Sequence, residues 1–197
     1  MEERSEAMNL QSSIDLPRSL SIDAFFDWSE HQKERYELVR GAPHMQPWVK
    51  RNHSRIASNA SFLLQTLLNR DLYDVHQGDF AIATGPSTIR YADVLVEPAG
   101  APGHARTAQN ALVVVEILSP STAEDDLGPK RQEYQGLESV EAYVVLAQDE
   151  RRAMLWTRQT DRSWPKDPLI LRDGVVAIEK LGIDLPIADL YRGVSID

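Results

Sequence analysis

Two kinds of hydrophobic spacing alternate along the chain, and together they predict an α/β fold. Residues 50–70 carry apolar side chains at three- and four-residue intervals over about five turns, which is typical of a long amphipathic helix. Residues 19–32 show a shorter stripe of the same kind, with Ser19 or Ser21 as its cap. Strand-like stretches separated by turn-forming residues follow, at 74–83, 89–96 and 111–118.

The stretch 111–118 differs from the others because it is apolar on both faces except at Glu116. This is the pattern of a central strand that is covered on both sides. Residues 36–39 and 43–49 predict a small hairpin, and further strands of the sheet are expected at 142–147, 152–158, 169–171 and 175–178. Residues 186–191 predict a terminal helical turn.

Helix signals follow the central strand. Ser121 and Glu124 are spaced as a capping box, and Gly128-Pro129 predicts a break at which a second helix starts. The chain has no internal repeat and no long linker. We therefore expect one α/β domain with a mixed sheet over residues 19–197, after a flexible lead over residues 1–18.

The charge balance narrows the classes of partner. The chain has 21 Lys and Arg against 30 Asp and Glu, a net charge of −9, which excludes a chain-wide electrostatic grip on nucleic acid. A basic binding surface must therefore be local. The densest basic stretch comprises Lys50, Arg51, His53 and Arg55.

The absence of certain residue types and motifs excludes several kinds of site. With no cysteine, disulfides, cysteine zinc sites and thiolate nucleophiles are excluded, and a cytoplasmic location is expected. No stretch approaches the ~18 consecutive apolar residues of a membrane helix. Glycine-rich phosphate loops, the G-x-S-x-G elbow of hydrolases and the histidine pairs of zinc enzymes are also absent.

Glu116 is the most informative single residue of the sequence. An ionised carboxylate among valine, isoleucine and leucine neighbours costs several kcal/mol unless a cation, a metal or a raised pKa compensates for it. One interpretation is structural, with Glu116 near the end of the strand and paired with an arginine. The other interpretation is functional, with Glu116 as part of a catalytic or metal-binding site.

Asp93 favours the functional interpretation. It lies in a second apolar strand, so two consecutive strands each carry one acidic residue. If the strands are neighbours, Asp93 and Glu116 can share one hard cation such as Mg²⁺, with the backbone carbonyl of Ile117 as a further ligand. The alternative is an aspartate that closes a strand or caps a turn.

Three other groups of residues are candidates for supporting roles. Lys130 and Tyr134 lie four residues apart, so on a helix they share a face, and the lysine can stabilise phosphoryl charge or hold a water molecule. Glu37 and His53 can reach a second metal or orient a water. A solvated lysine and surface positions for Glu37 and His53 are the alternatives.

The order of these residues resembles the Uma2 family of restriction-endonuclease-like proteins over residues 20–191. Residues 114–122, VVEILSPST, are the specific part of the resemblance. The other matching positions are Tyr36-Glu37-Leu38-Val39-x-Gly41, His53, Asp93, Lys130-Arg131, Tyr134 and residues 185–191.

The resemblance implies the restriction-endonuclease-like fold of the PD-(D/E)xK superfamily, a mixed sheet flanked by helices. In that superfamily, acidic strand residues hold Mg²⁺ or Mn²⁺ for phosphodiester hydrolysis. Matched to its pattern, Asp93 is the first acid and Glu116 the second, and Lys130 is a lysine moved from the strand to the helix. Glu37 is the upstream acid, with His53 and Tyr134 in support.

Two positions depart from the superfamily pattern. Ala92 replaces the proline before the aspartate, and Leu118 replaces the lysine of E-x-K, so Lys130 must supply the cation. The leading hypothesis is a Mg²⁺-dependent endonuclease that acts on DNA, with a homodimer expected from the need to cut two strands. The alternative is a catalytically inactive nuclease-fold module that binds nucleic acid or a protein partner.

Overall fold

The computed structural model describes residues 16–119 and 123–196. The helices are α1 (Ile22–Ser29), α2 (Arg51–Leu67), α3 (Ala123–Leu127), α4 (Pro129–Gly136) and α5 (Ile187–Leu190). The strands are β1 (Tyr36–Val39), β2 (Ala42–Met45), β3 (Tyr73–Gln77), β4 (Ala81–Gly85), β5 (Thr88–Tyr91), β6 (Val94–Pro98), β7 (Thr107–Ala108), β8 (Val113–Leu118), β9 (Ala142–Ala147), β10 (Ala153–Thr157), β11 (Leu169–Leu171), β12 (Val175–Ile178) and β13 (Ile183–Pro186).

The strands form two larger sheets and a separate hairpin. The six-stranded sheet has the order β11-β10-β9-β8-β6-β3, in which only β8 and β9 run parallel. The five-stranded sheet has the order β2-β1-β5-β4-β7, and β12 pairs with β13. The architecture is therefore a mixed α/β fold, as predicted, but the single sheet expected from the sequence is wrong.

The six-stranded sheet is covered on both faces, which explains the apolar character of β8. Ile56, Ala60 and Leu64 of α2 pack with Val113 and Val115 on one face, and the α4 side chain of Tyr134 packs with Val114 on the other. Successive strand residues point to opposite faces, so Glu116 lies on the α4 side. This position places a carboxylate inside an apolar layer.

Two predicted strands are each divided between the two sheets. The stretch 74–83 breaks at Gly78, where a positive φ of 72° turns the chain between β3 and β4. The stretch 89–96 breaks at residues 92–93, between β5 and β6. A continuous apolar run does not show where a chain leaves one sheet for another, and both boundaries were missed for that reason. Asp93 thus lies between two strands, not within one.

Several other boundaries differ from the predicted ones. The helices predicted over 19–32 and 50–70 are shorter, at α1 and α2, and Ser21 caps α1 by accepting a hydrogen bond from the Ala24 amide at 3.2 Å. The second hairpin strand ends at Met45, before Pro47. Strand β13 was missed, and β12 pairs with it and does not join the large sheet.

The predicted break between α3 and α4 is confirmed at Gly128. A Cβ atom there would lie 2.6 Å from the carbonyl oxygen of Glu124, so the two helices can meet only at a glycine. Ser121 of the predicted capping box lies outside the described residues. Within the described ranges, no helix has both the length and the apolar character needed to cross a membrane.

Candidate active site

Asp93 and Glu116 meet where β6 and β8 begin to separate. Val94 pairs with Val115 in this antiparallel ladder, so the next position places Asp93 opposite Glu116. Oδ2 of Asp93 accepts a hydrogen bond from the Ile117 amide at 2.7 Å. The Asp93 carboxylate thus accepts a hydrogen bond from an amide at the point where the β6–β8 pairing ends. The two acidic residues come together, as the sequence predicted.

The backbone of Ile117 faces the same side as Asp93. The carbonyl of Leu118 accepts a hydrogen bond from the Gln148 amide, on the β9 side, whereas the amide of Ile117 donates to Asp93 on the other side. Alternate residues of a strand face opposite neighbours, so the carbonyl of Ile117 is directed toward the β6 side. This direction is compatible with the predicted role of Ile117 as a backbone ligand.

Glu116 is 3 % exposed and has two polar contacts through Oε1. The Tyr134 hydroxyl donates to this oxygen at 3.0 Å, and the Lys130 ammonium lies 3.5 Å from it. Burial raises the pKa of Glu116 well above its ordinary value, although Lys130 opposes the shift. Burial also raises the pKa of Tyr134, which therefore remains a hydrogen-bond donor.

Lys130 is buried and surrounded by three carboxylates. Its Nζ lies 3.2 Å from Glu37, 3.5 Å from Glu116 and 3.7 Å from Asp126. Burial alone would lower the pKa of the ammonium, but these carboxylates outweigh burial and raise it. Lys130 is therefore a fixed positive charge on α4, one turn from Tyr134, as the four-residue spacing predicted.

Glu37 holds Lys130 and is itself held from two sides. Its Oε1 accepts a hydrogen bond from the Tyr91 amide at 3.2 Å and contacts Lys130, while Oε2 accepts from Arg90 at 2.8 Å. Both oxygens are engaged. In this arrangement Glu37 connects β1 of the five-stranded sheet to α4.

Arg90 is a member of this network that the sequence analysis missed. It is 2 % exposed on β5, and it donates two hydrogen bonds to Glu133 and one each to Glu37 and Asp125. Burial would lower the pKa of the guanidinium, but Glu133 and Glu37 raise it. The available signal was a single charged residue between Ile89 and Tyr91, the same signal that identified Glu116.

His53 faces the site and does not belong to the exposed basic stretch with which it was grouped. Its Nε2 lies 3.2 Å from Oδ2 of Asp93, and its ring is buried, whereas Lys50, Arg51 and Arg55 are exposed. No partner for Nδ1 of His53 is found in the described part of the chain. The histidine thus supports Asp93 and retains one unused polar atom.

A cavity of about 70 Å³ opens beside these groups and is lined by His53, Asp93, Glu116, Asp126 and Lys130, among others. It has room for several water molecules, since one water needs about 10–15 Å³. Asp93 uses Oδ2 and Glu116 uses Oε1 for their contacts. In the described ranges, the second oxygen of each carboxylate has no hydrogen bond or ion pair and remains available to a ligand.

The donor set and charge of this cavity fit a hard divalent cation. Two permanent cations, Arg90 and Lys130, lie in one network with six carboxylates, those of Glu37, Asp93, Glu116, Asp125, Asp126 and Glu133. No three His, Cys, Asp or Glu side chains in the described residues are arranged as ligands of one metal. Mg²⁺ is suited to a sparse oxygen set because it keeps several of its waters.

Comparison with known proteins gives the fold and family. A family model with the description "Putative restriction endonuclease", Uma2, matches residues 22–187. The uncharacterised Synechocystis protein slr1290 is 25 % identical over 182 residues, covering 89 % of this chain and 93 % of its own length. A second Synechocystis protein, sll1609, is 24 % identical over 149 residues, covering 74 % and 84 % respectively.

A solved structure has the same architecture. The crystal structure of "a putative nuclease belonging to DUF820" from Anabaena variabilis superposes with a TM-score of 0.69 at 15 % identity, covering 89 % of this chain and 99 % of that one. This likeness confirms the predicted nuclease-like α/β fold. Because the family model spans well over half of its residues, the chain belongs to the Uma2 family.

Proposed function

We propose that this protein is an endonuclease that hydrolyses phosphodiester bonds in DNA with the help of Mg²⁺ or Mn²⁺. The observation that carries the proposal is the meeting of Asp93, directly before β6, with Glu116 on the neighbouring strand β8, beside a cavity that is also lined by the buried Lys130. Acidic pairs joined by a lysine at a cavity are suited to phosphoryl chemistry, in which negative charge must be stabilised.

Asp93, Glu116 and the carbonyl of Ile117 would hold the metal ion. When bound, the ion supplies a water of lowered pKa as nucleophile and neutralises charge on the phosphate. Occupation of this site requires Glu116 to be ionised, although burial raises its pKa. Lys130 favours that ionised form from 3.5 Å.

Lys130 acts in this proposal as a fixed electrostatic group. Its raised pKa favours the charged ammonium at neutral pH, which fits stabilisation of the charge that develops on a phosphate oxygen. Three carboxylates hold it by the cavity, so its position does not depend on the substrate. The migrated lysine therefore replaces the cation that Leu118 does not provide.

The remaining residues are positioning groups. Glu37 fixes Lys130 through an ion pair, and Tyr134 fixes Oε1 of Glu116 by donating a hydrogen bond to it. His53 contacts Oδ2 of Asp93 through its Nε2, at 3.2 Å. Removal of a contact that positions a metal ligand typically lowers the metal affinity or the activity of the protein by about 10–100-fold.

The proposal is tested by incubating supercoiled plasmid and labelled oligonucleotides with the purified protein in Mg²⁺, in Mn²⁺ and in EDTA. We expect cleavage with either metal and none in EDTA, and loss of cleavage in Asp93→Asn and Glu116→Gln. Asp173→Asn is the matched control because Asp173 is exposed and lies outside the cavity lining. Absence of cleavage by the wild type across these substrates would favour the catalytically inactive module.

A further inference from the structure

Trp48 is the most exposed large apolar residue of the described chain, at 91 %. It lies in the segment between β2 and α2, and its neighbours Met45 and Val49 are also exposed. An aromatic side chain with this exposure gains nothing from the folded core. Exposed apolar side chains that lie close together along one segment are typical of a binding surface.

The position of Trp48 connects it to the active-site cavity. The residues on either side of it, Pro47 and Val49, both line that cavity. Val49 also lines an adjoining groove of about 350 Å³ that extends past His53 to the turn at Gly78 and Asp79. The cavity and the groove share Asp93. A linear polymer lying in the groove would therefore pass directly beside the carboxylates of Asp93 and Glu116.

The surroundings of Trp48 carry positive charge in a protein whose net charge is −9. Lys50 and Arg51 follow it directly and are exposed, with no ion pair for either among the described residues. Arg35 lines both the cavity and the groove and is paired with Asp79 at 3.2 Å. An aromatic face next to unpaired basic side chains is complementary to a base and its phosphate.

We infer that Trp48 is a stacking platform for an unpaired base next to the scissile phosphate, so that the substrate is DNA with a single-stranded segment. Bases stacked inside a duplex do not present a face to a protruding side chain, whereas an unpaired base does. Lys50 and Arg51 would hold the adjoining phosphates. This inference rests on the proposed function and names its class of substrate.

The inference is tested by measuring binding of a fluorescein-labelled single-stranded oligonucleotide and of the matched duplex in EDTA, which separates binding from cleavage. We expect tighter binding of the single strand, about a 10-fold loss of that affinity in Trp48→Ala and retention of most of it in Trp48→Phe. Phe62→Ala is the matched control, since Phe62 is 67 % exposed on α2 but lies away from the cavity lining.

Different outcomes separate this inference from the proposed function. If the wild type cleaves DNA but Trp48→Ala binds the single strand as the wild type does, the stacking role is wrong and the nuclease proposal remains. If Trp48→Ala loses binding of the single strand although no cleavage occurs with any metal, the stacking role stands and the nuclease proposal is wrong. A mass by light scattering that falls in Trp48→Ala would instead assign this surface to a contact between copies of the chain and overturn the inference.

Discussion

The ammonium of Lys130 lies 3.5 Å from Oε1 of Glu116, although the lysine belongs to α4 and the glutamate to β8. In a nuclease motif with the lysine two residues after the glutamate, one strand would carry both groups. Here Leu118 occupies that position, and the helix after Gly128 brings the cation back to the carboxylate. The contact explains how a chain without the strand lysine retains a cation at the site.

Lys130→Ala tests the role of this ammonium. We expect the variant to bind Mn²⁺, because lysine is not a ligand, and to lose about 100-fold or more in phosphodiester cleavage, the scale of removing one electrostatic group. Lys180→Ala is the control, since Lys180 is exposed. Cleavage by Lys130→Ala at the wild-type rate, with Glu116→Ala inactive, would show that the cation assignment is wrong.

Arg90→Ala should be one of the most destabilising single changes in the protein. It would leave Glu37 and Glu133 without their buried partner, and breaking a buried pair from one side costs about 3–5 kcal/mol. Denaturant unfolding of the variant measures the loss. Arg172→Ala, which removes an exposed pair with Glu150, should leave the midpoint unchanged, and equal effects of the two variants would contradict the assignment.

Tyr134→Phe removes only the hydroxyl that donates to Glu116. We expect the fold to be retained and the Mn²⁺ affinity or the cleavage rate to fall about 10-fold, because the carboxylate loses its positioning contact. Calorimetry with Mn²⁺ and single-turnover cleavage measure the two effects. Tyr143→Phe is the comparison, since the Tyr143 hydroxyl donates to the carbonyl of Asp126 and not to Glu116. A larger loss in Tyr143→Phe would contradict the role given to Tyr134.

The buried phenol of Tyr191 leads to a separate prediction, about how the stability of the protein depends on pH. Burial raises the pKa of its phenol to about 12, and the hydroxyl donates to the carbonyls of Ala147 and Arg152. Because the folded pKa lies above the unfolded value of about 10, the stabilisation is complete below pH ~10 and is lost as pH rises to ~12. The difference in unfolding free energy between wild type and Tyr191→Phe should shrink by about 2 kcal/mol across that window, as measured by urea titration. A constant difference would contradict the assignment.

The sequence predicted the acidic pair because burial of a charge is visible in a pattern of residues. Glu116 and Asp93 each interrupt an apolar run, and the structure brings both to one cavity with Lys130 and Tyr134. The role of Gly128 was also predictable, since Gly-Pro interrupts a helical pattern. These features depend on local chemistry, which the sequence displays directly.

Features that depend on how the strands are divided between the two sheets could not be predicted from the sequence in the same way. The boundary at residues 92–93 separates β5 from β6, and it is this change of sheet that places Asp93 opposite Glu116 and Arg90 against Glu37. An apolar run is equally compatible with one long strand or with two short ones. The homodimer stays a prediction that a mass in solution can check.

The proposed metal site at Asp93 and Glu116 is tested most directly by anomalous diffraction from crystals of the protein soaked in Mn²⁺. We expect one strong peak in the cavity, within ligand distance of the carboxylates of Asp93 and Glu116 and of the carbonyl of Ile117, and its loss in crystals of Asp93→Asn. No peak in that cavity at saturating Mn²⁺, or an undiminished peak in Asp93→Asn, would contradict the proposed metal site.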